Sequence, residues 1–313
     1  MIDTAAESWI KPRRLRSGDR ISLVAPASPF KPEELDAAVA ELGRLGFEAV
    51  YDQRVLARNR FVAGDAALRA AVLHDAWTDP SIAALIAIRG GYGSAQLLPL
   101  LDASLMRKAG KILIGYSDIT ALLCFHLQHH VVCFHGPMVE RRLAAGESAY
   151  DRSSLLRAVT APDPVGELSP DGLDVLRDGE ASGTMVGGTI TQLVASLGTP
   201  WAFVPPPGCV LFLEDVGERP YRIDRMLTQL RQAGIIGRAS AIVFGELPSC
   251  DEPGGEQRVR DVLAEFARDF DGPVLFGFPS GHTTGPSWTL PLGVRARVDT
   301  SSRILRVEEG AVH

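Results

Sequence analysis

The stretch Lys111–Leu123, "KILIGYSDITALL", decides how this chain folds. Four apolar or small residues, ILIG, read as a short buried strand, and DITALL opens a helical run. Between them stands Ser117. A serine at that junction reads in two ways: as the N-cap of the coming helix, whose hydroxyl accepts a backbone N–H, or as a nucleophile raised on a tight turn. Gly115, two residues earlier, suits the close packing of such an elbow, but Ile119 stands where the GxSxG pattern has its second glycine.

Working outward, the same alternation repeats. "ISLVAP" (21–26), "FEAVYD" (47–52) and "IAALIAIRGG" (82–91) read as strands, and "PEELDAAVAELGRLG" (32–46) and "GDAALRAAVLHDAWTDP" (64–80) as helices. A further helix is expected from about Ser94, and the one after Ser117 from Asp118 to about His130. Strands alternating with helices predict a mostly parallel sheet with helices on both faces, which binds ligands outside the carboxyl ends of its strands. "APDPVGELSPDG" (161–172) gathers Pro, Gly and acids and reads as a linker. The expected domains are therefore residues 1–165, carrying the strand–serine–helix unit, and residues 173–313, a β-rich unit with one periodic helix, "RIDRMLTQLRQAG" (222–234).

The chain has 313 residues, 46% hydrophobic and 22% charged, with a formal charge of −6. That charge, with no basic block longer than "KPRRLR" (11–16), argues against a nucleic-acid partner. No run approaches the ~20 apolar residues of a membrane span, and no signal-like segment opens the sequence, so a cytoplasmic protein is expected. Four scattered cysteines form no CxxC pair and read as reduced thiols.

Three strand-like runs each deliver a chemically useful residue: Ser117, Glu214 at the end of "CVLFLE", and His282, which closes "VLFGFPSGH" a few residues past its strand. Serine, acid and histidine are the parts of a nucleophilic hydrolase. Each has a plainer reading. Glu214 adjoins Asp215 and either acid can be a solvated loop charge, while His282 lies in a Gly/Pro/Thr-rich loop where a histidine is commonly just exposed. "IRGGYGS" (88–94) is either a turn needing positive φ or a backbone donor for an oxyanion; it lacks the spacing of a dinucleotide loop. His126, His129, His130 and His135 cluster in "CFHLQHHVVCFHG", but without a zinc spacing or a carboxylate, so no metal is expected. Arg219, Arg222, Arg225 and Arg231 can grip a substrate carboxylate or pair with local acids such as Asp224.

Six ordered blocks then carry a family likeness: "GDRISLVAPASP", "IRGGYGSAQLLPLLD", "IGYSDITALL", "FHGPM", "LFLEDVGERPYRIDRMLTQLRQAG" and "GHTTGPSWTLPLG". From about residue 18 to 295 the chain resembles the L,D-carboxypeptidases, serine peptidases typified by murein tetrapeptide carboxypeptidase. The resemblance implies a Ser117–Glu214–His282 triad and an oxyanion hole from the main-chain N–H groups of Asp118 and of Gly90 or Gly91. It implies a Rossmann- or flavodoxin-like N-terminal domain, a smaller β-rich α/β C-terminal domain and a homodimer; the sequence carries no sign of a cofactor, and none is expected. The substrate implied is a murein peptide losing its terminal D-alanine in peptidoglycan recycling; Arg89 and Arg222 are the candidate grips for its carboxylate. Two other functions stay open: a self-immunity hydrolase of the same family acting on peptidyl or aminoacyl nucleotide antibiotics of the microcin C type, and a non-catalytic binder of cell-wall peptides. One departure stands out: Thr189 occupies a position that is asparagine in many relatives, where it bears on substrate preference if it orders the site between the domains.

Overall fold

A computed structural model describes residues 8–313. Five parallel strands lead the chain: β1 (Arg20–Val24), β2 (Glu48–Val50), β3 (Ile82–Ala87), β4 (Ile112–Gly115) and β5 (Cys133–His135). Their order across the sheet is 2-1-3-4-5. That is the flavodoxin-like winding, in which a crevice opens at the carboxyl ends where the order reverses, between β1 and β3. Strands β1, β3 and β4 are buried almost throughout, as strands covered on both faces must be.

The second sheet has eight strands: β6 (Gly166–Leu168), β7 (Asp174–Arg177), β8 (Glu180–Thr189), β9 (Cys209–Glu214), β10 (Ala239–Gly245), β11 (Val274–Phe278), β13 (Arg295–Asp299) and β14 (Ile304–Val307), whereas β12 (Leu290–Leu292) joins the first sheet, antiparallel to β5. The stretch 161–172 is thus more than a connection, since its residues Gly166–Leu168 pair with β14. Strands β8 to β11 run parallel, so their carboxyl ends share one edge. The α/β class expected from the alternation of strands and helices is the fold observed, built on two sheets.

Local chemistry sets the helices. Helix α1 (Glu33–Arg44) carries three acids in its first turn and a basic residue in its last, matching the helix dipole. In α2 (Ala66–Thr78) the Asp65 side chain accepts the Leu68 N–H as an N-cap. Helix α7 (Pro220–Gln232; α3 to α6 being Ala103–Ala109, Thr120–Gln128, Arg152–Thr160 and Ile190–Ser196) places Pro220 at its start and buries Ile223, Met226, Leu227 and Leu230, an i, i+3, i+4, i+7 stripe. The helix expected from Ser94 is instead a 3₁₀ run, Ser94–Leu100, followed by the separate α3. Pro99 and the Asp102 cap explain that break.

Candidate active site

Ser117 does not cap a helix. Neither the 3₁₀ turn Ser117–Ile119 nor α4 receives a side-chain cap, and Ser117 itself sits at φ 62, in the left-handed region that residues with a Cβ avoid. Such an outlier directly after a buried parallel strand is the geometry of a nucleophile elbow, where backbone strain holds the hydroxyl out of the helix. The elbow is crowded. A Cβ on Gly115 would lie 2.7 Å from the Ile119 side chain, and one on Gly90 would lie 2.8 Å from Ser117 Cβ, 3.0 Å from its Oγ and 3.3 Å from Asp118 N. The main chain of the RGG turn therefore abuts the serine and the N–H after it. Gly91, at φ 91, packs against Ser28 instead.

Two buried side chains fasten this corner. Asp118 is 3% exposed; its Oδ2 accepts the Ser94 N–H at 2.7 Å while its own carbonyl accepts from Ser94 Oγ, tying the RGGYGS loop to the elbow. Arg69 donates to the carbonyls of Pro26, Gly64 and Gly93 and to Gln96 Oε1, stapling the loops after β1 and β3 together.

From the second sheet comes Glu214, wholly buried at the end of β9. Its Oε2 accepts both the His282 backbone N–H at 3.0 Å and His282 Nδ1 at 2.8 Å. A carboxylate only accepts, so Nδ1 carries the proton and Nε2 keeps its lone pair. Burial alone would raise the Glu214 pKa; the charge of His282, the hydrogen bond from it and the nearby His135 outweigh burial and hold the carboxyl well below its usual range. Burial would likewise lower His282, but the Glu214 carboxylate outweighs it and raises the imidazole above its ordinary value. The loop carrying His282 is fixed from three sides. Arg142 donates to the carbonyls of Ala149, Gly281, Thr283 and Gly285, Glu246 accepts from Thr283 and Thr284, and Ser287 Oγ accepts the Gly281 N–H. Gly281 itself, at φ 77, has no room for a side chain: a Cβ would lie 2.6 Å from His135 Cε1 and 2.9 Å from Glu214 Oε2.

Ser117 and His282 line one cavity of about 420 Å³, together with Arg89, Gly90, Gly91 and Tyr116. The Tyr116 ring meets the His282 ring edge-on at 5.0 Å. No hydrogen bond joins Ser117 Oγ to His282 among the described residues, and unliganded active sites commonly hold this pair loosely.

Other candidates go elsewhere. Arg222 pairs with Glu218 at 3.4 Å and with Tyr221, away from the cavity lining. Arg89 lines the cavity, with Glu140 at 3.2 Å and the Pro29 carbonyl as partners. Among the described residues no group of three metal-ligating side chains forms. His126 is buried on α4 and pushed down to about 4 by burial, which outweighs its hydrogen bond to the Leu122 carbonyl. His135 is the histidine that reaches the site: β5 pairs with β4 so that His135 stands beside Gly115, its Nδ1 2.9 Å from Ser280 Oγ and its Nε2 3.8 Å from Glu214 Oε1. Sequence reasoning passed over it as one histidine of a cluster, although it sits within the FHGPM block. Thr189 donates its hydroxyl to Glu214 Oε1, so it belongs to the acid rather than to the cavity wall.

Comparison with known proteins identifies the family. Residues 21–136 match the LD-carboxypeptidase N-terminal domain and residues 182–298 the LD-carboxypeptidase C-terminal domain. The chain is 33% identical to the murein tetrapeptide carboxypeptidase of Pseudomonas aeruginosa, over 84% of this chain and 88% of that one. It is 27% identical to the microcin C7 self-immunity protein of Escherichia coli, over 94% of each. The crystal structure of muramoyltetrapeptide carboxypeptidase from Oxalobacter formigenes superposes with a TM-score of 0.81 at 32% identity, covering 93% of this chain and 98% of that one.

Proposed function

The chain belongs to the LD-carboxypeptidase family, and from that premise we propose that it is a serine-type L,D-carboxypeptidase that removes the terminal D-alanine of murein tetrapeptide in cytoplasmic peptidoglycan recycling. The observation that carries this reading is the His282–Glu214 hydrogen bond at 2.8 Å, facing a strained serine across one cavity.

In this account Ser117 Oγ attacks the scissile carbonyl while His282 Nε2 takes its proton. Glu214 fixes the tautomer and stabilises the imidazolium. The oxyanion is received by the Asp118 N–H and by the RGG turn, where the close approach of Gly90 to Ser117 favours that glycine over Gly91. His282 then protonates the leaving D-alanine, and water attacks the acyl-serine with His282 again as base. Tying Asp118 to Ser94 keeps the two donors in one frame, which lowers the reorganisation needed as charge develops. We expect a homodimer and no cofactor.

The self-immunity relative supports a second reading, hydrolysis of a peptidyl nucleotide by the same machinery. Incubation with murein tetrapeptide and, separately, with a peptidyl-adenylate decides between them by product mass. Release of D-alanine supports the first; cleavage of the nucleotide alone supports the second. Tight binding of tetrapeptide without turnover would leave only a cell-wall peptide binder.

A further inference from the structure

A carboxypeptidase must recognise a terminal carboxylate one residue beyond the bond it cuts, and an anion entering a partly closed cavity needs a cation that is not already spent. Three arginines line the cavity beside Ser117. Arg142 gives its terminal nitrogens to four carbonyls, and Arg89 faces Glu140 and the Pro29 carbonyl. Arg141 differs. Its guanidinium is exposed and makes no hydrogen bond or ion pair among the described residues. Glu34, on α1, feels the charges of both Arg89 and Arg141 yet is salt-bridged to neither.

The backbone at Arg141 carries a second observation. It stands at φ 64, a conformation costly for any residue with a Cβ. Both flanking residues are held: Glu140 N–H bonds the Ile88 carbonyl at 2.8 Å, and Arg142 is locked by its carbonyls. The left-handed residue between them turns its side chain to the cavity. With Arg89, Arg141 and Arg142 against Glu140, the lining is cationic although the chain as a whole carries −6. A cleft of that sign concentrates anionic substrates.

We propose that Arg141 is the residue that receives the C-terminal carboxylate of the peptide, making the cavity selective for free-acid termini. This rests on the carboxypeptidase reading and deepens it: Arg141 takes the role for which the sequence suggested Arg89 or Arg222. Its planar fork suits a bidentate grip that lysine does not reproduce.

The test compares murein tetrapeptide with its C-terminal carboxamide, on wild-type protein and on Arg141→Gly, a substitution that suits φ 64 and removes the guanidinium without backbone cost. Wild type is expected to favour the acid. Arg141→Gly is expected to lose about 10- to 100-fold in kcat/KM on the acid and to change little on the amide, with Arg141→Lys between them. An equal loss on both peptides, or no loss on either, overturns the assignment. Calorimetric binding of both peptides to Ser117→Ala, with Arg141 present or replaced by Gly, separates the two levels of the argument. Arg141-dependent preference for the acid supports the carboxylate site even where wild type cleaves neither peptide, an outcome that would sink the carboxypeptidase reading alone; absence of preference in binding overturns the site.

Discussion

Thr189 and Glu214 are register partners on the parallel strands β8 and β9, and the threonine hydroxyl donates to Glu214 Oε1 while His282 holds Oε2. The buried acid is thus gripped from both sides. A buried carboxylate that loses a donor pays its desolvation without return. Thr189→Val should therefore lower stability by roughly 1–3 kcal/mol and reduce kcat, whereas Thr189→Asn, which supplies an amide donor, should recover most of both. Thermal denaturation and steady-state rates read the two effects. A Val variant as stable and active as wild type would remove Thr189 from the acid's support.

The contact of Gly90 with the elbow gives a sharper steric test. Gly90 lacks a left-handed φ, so alanine is allowed there by the backbone, but its methyl would press on Ser117 Cβ and Oγ. Gly90→Ala is expected to fold, with an unchanged circular dichroism spectrum, and to lose about 10²- to 10³-fold in kcat, the scale of a disturbed oxyanion donor. Gly91→Ala, whose methyl would meet Ser28, should instead lose stability. Equal activity in Gly90→Ala and wild type would move the oxyanion site elsewhere.

Glu214 sets the pH dependence. Its carboxylate raises the His282 pKa, and in the proposed mechanism this histidine serves as base only when neutral, so kcat/KM should rise with pH through a limb above the ordinary histidine value. Glu214→Gln removes the charge that favours imidazolium. The acid limb of its residual activity should move to lower pH, and kcat should fall by about 10³- to 10⁴-fold. A limb that stays in place would assign it to another group.

Asp215 is the neighbouring acid with the opposite behaviour. Burial first, and then the charge of Glu214, push its carboxyl up from 3.8 to about 6, against hydrogen bonds from Thr191 and the Val216 N–H. The folded state thus holds this proton more tightly than the unfolded chain. The stability it contributes is full below pH ~4 and is lost as pH rises through about 6, an effect of roughly 3 kcal/mol. Asp215→Asn cannot ionise, so its Tm relative to wild type should increase from pH 4 to pH 7. Parallel Tm curves for the two proteins would contradict the shift.

The parts legible in the sequence were those written in local pattern. Alternating strands and helices identified the α/β class, and strand ends pointed to Ser117, Glu214 and His282, because parallel sheets present their carboxyl ends together. Of the two local readings of Ser117, the N-cap is not what the chain does; a φ of 62 goes with the packing of Gly90, Gly115 and Ile119, which periodicity does not record. The contacts of His135 and Thr189 with Glu214 were illegible for a related reason. They come from inter-sheet packing and strand register, across separations of 79 and 25 residues along the chain. Likewise the Asp118 carboxylate ties Ser94 to the elbow across 24 residues, a contact no local pattern marks. Pairing of β12 with β5 also lies outside any local signal, since three residues of the second half of the chain close the edge of the first sheet.

The central claim is that Ser117 is the nucleophile on an L,D-peptide bond. Mass analysis of murein tetrapeptide incubated with wild type and with Ser117→Ala tests it most directly. The account predicts release of D-alanine by wild type and none by Ser117→Ala, with tetrapeptide binding retained in the variant. D-alanine release by Ser117→Ala at the wild-type rate would contradict it.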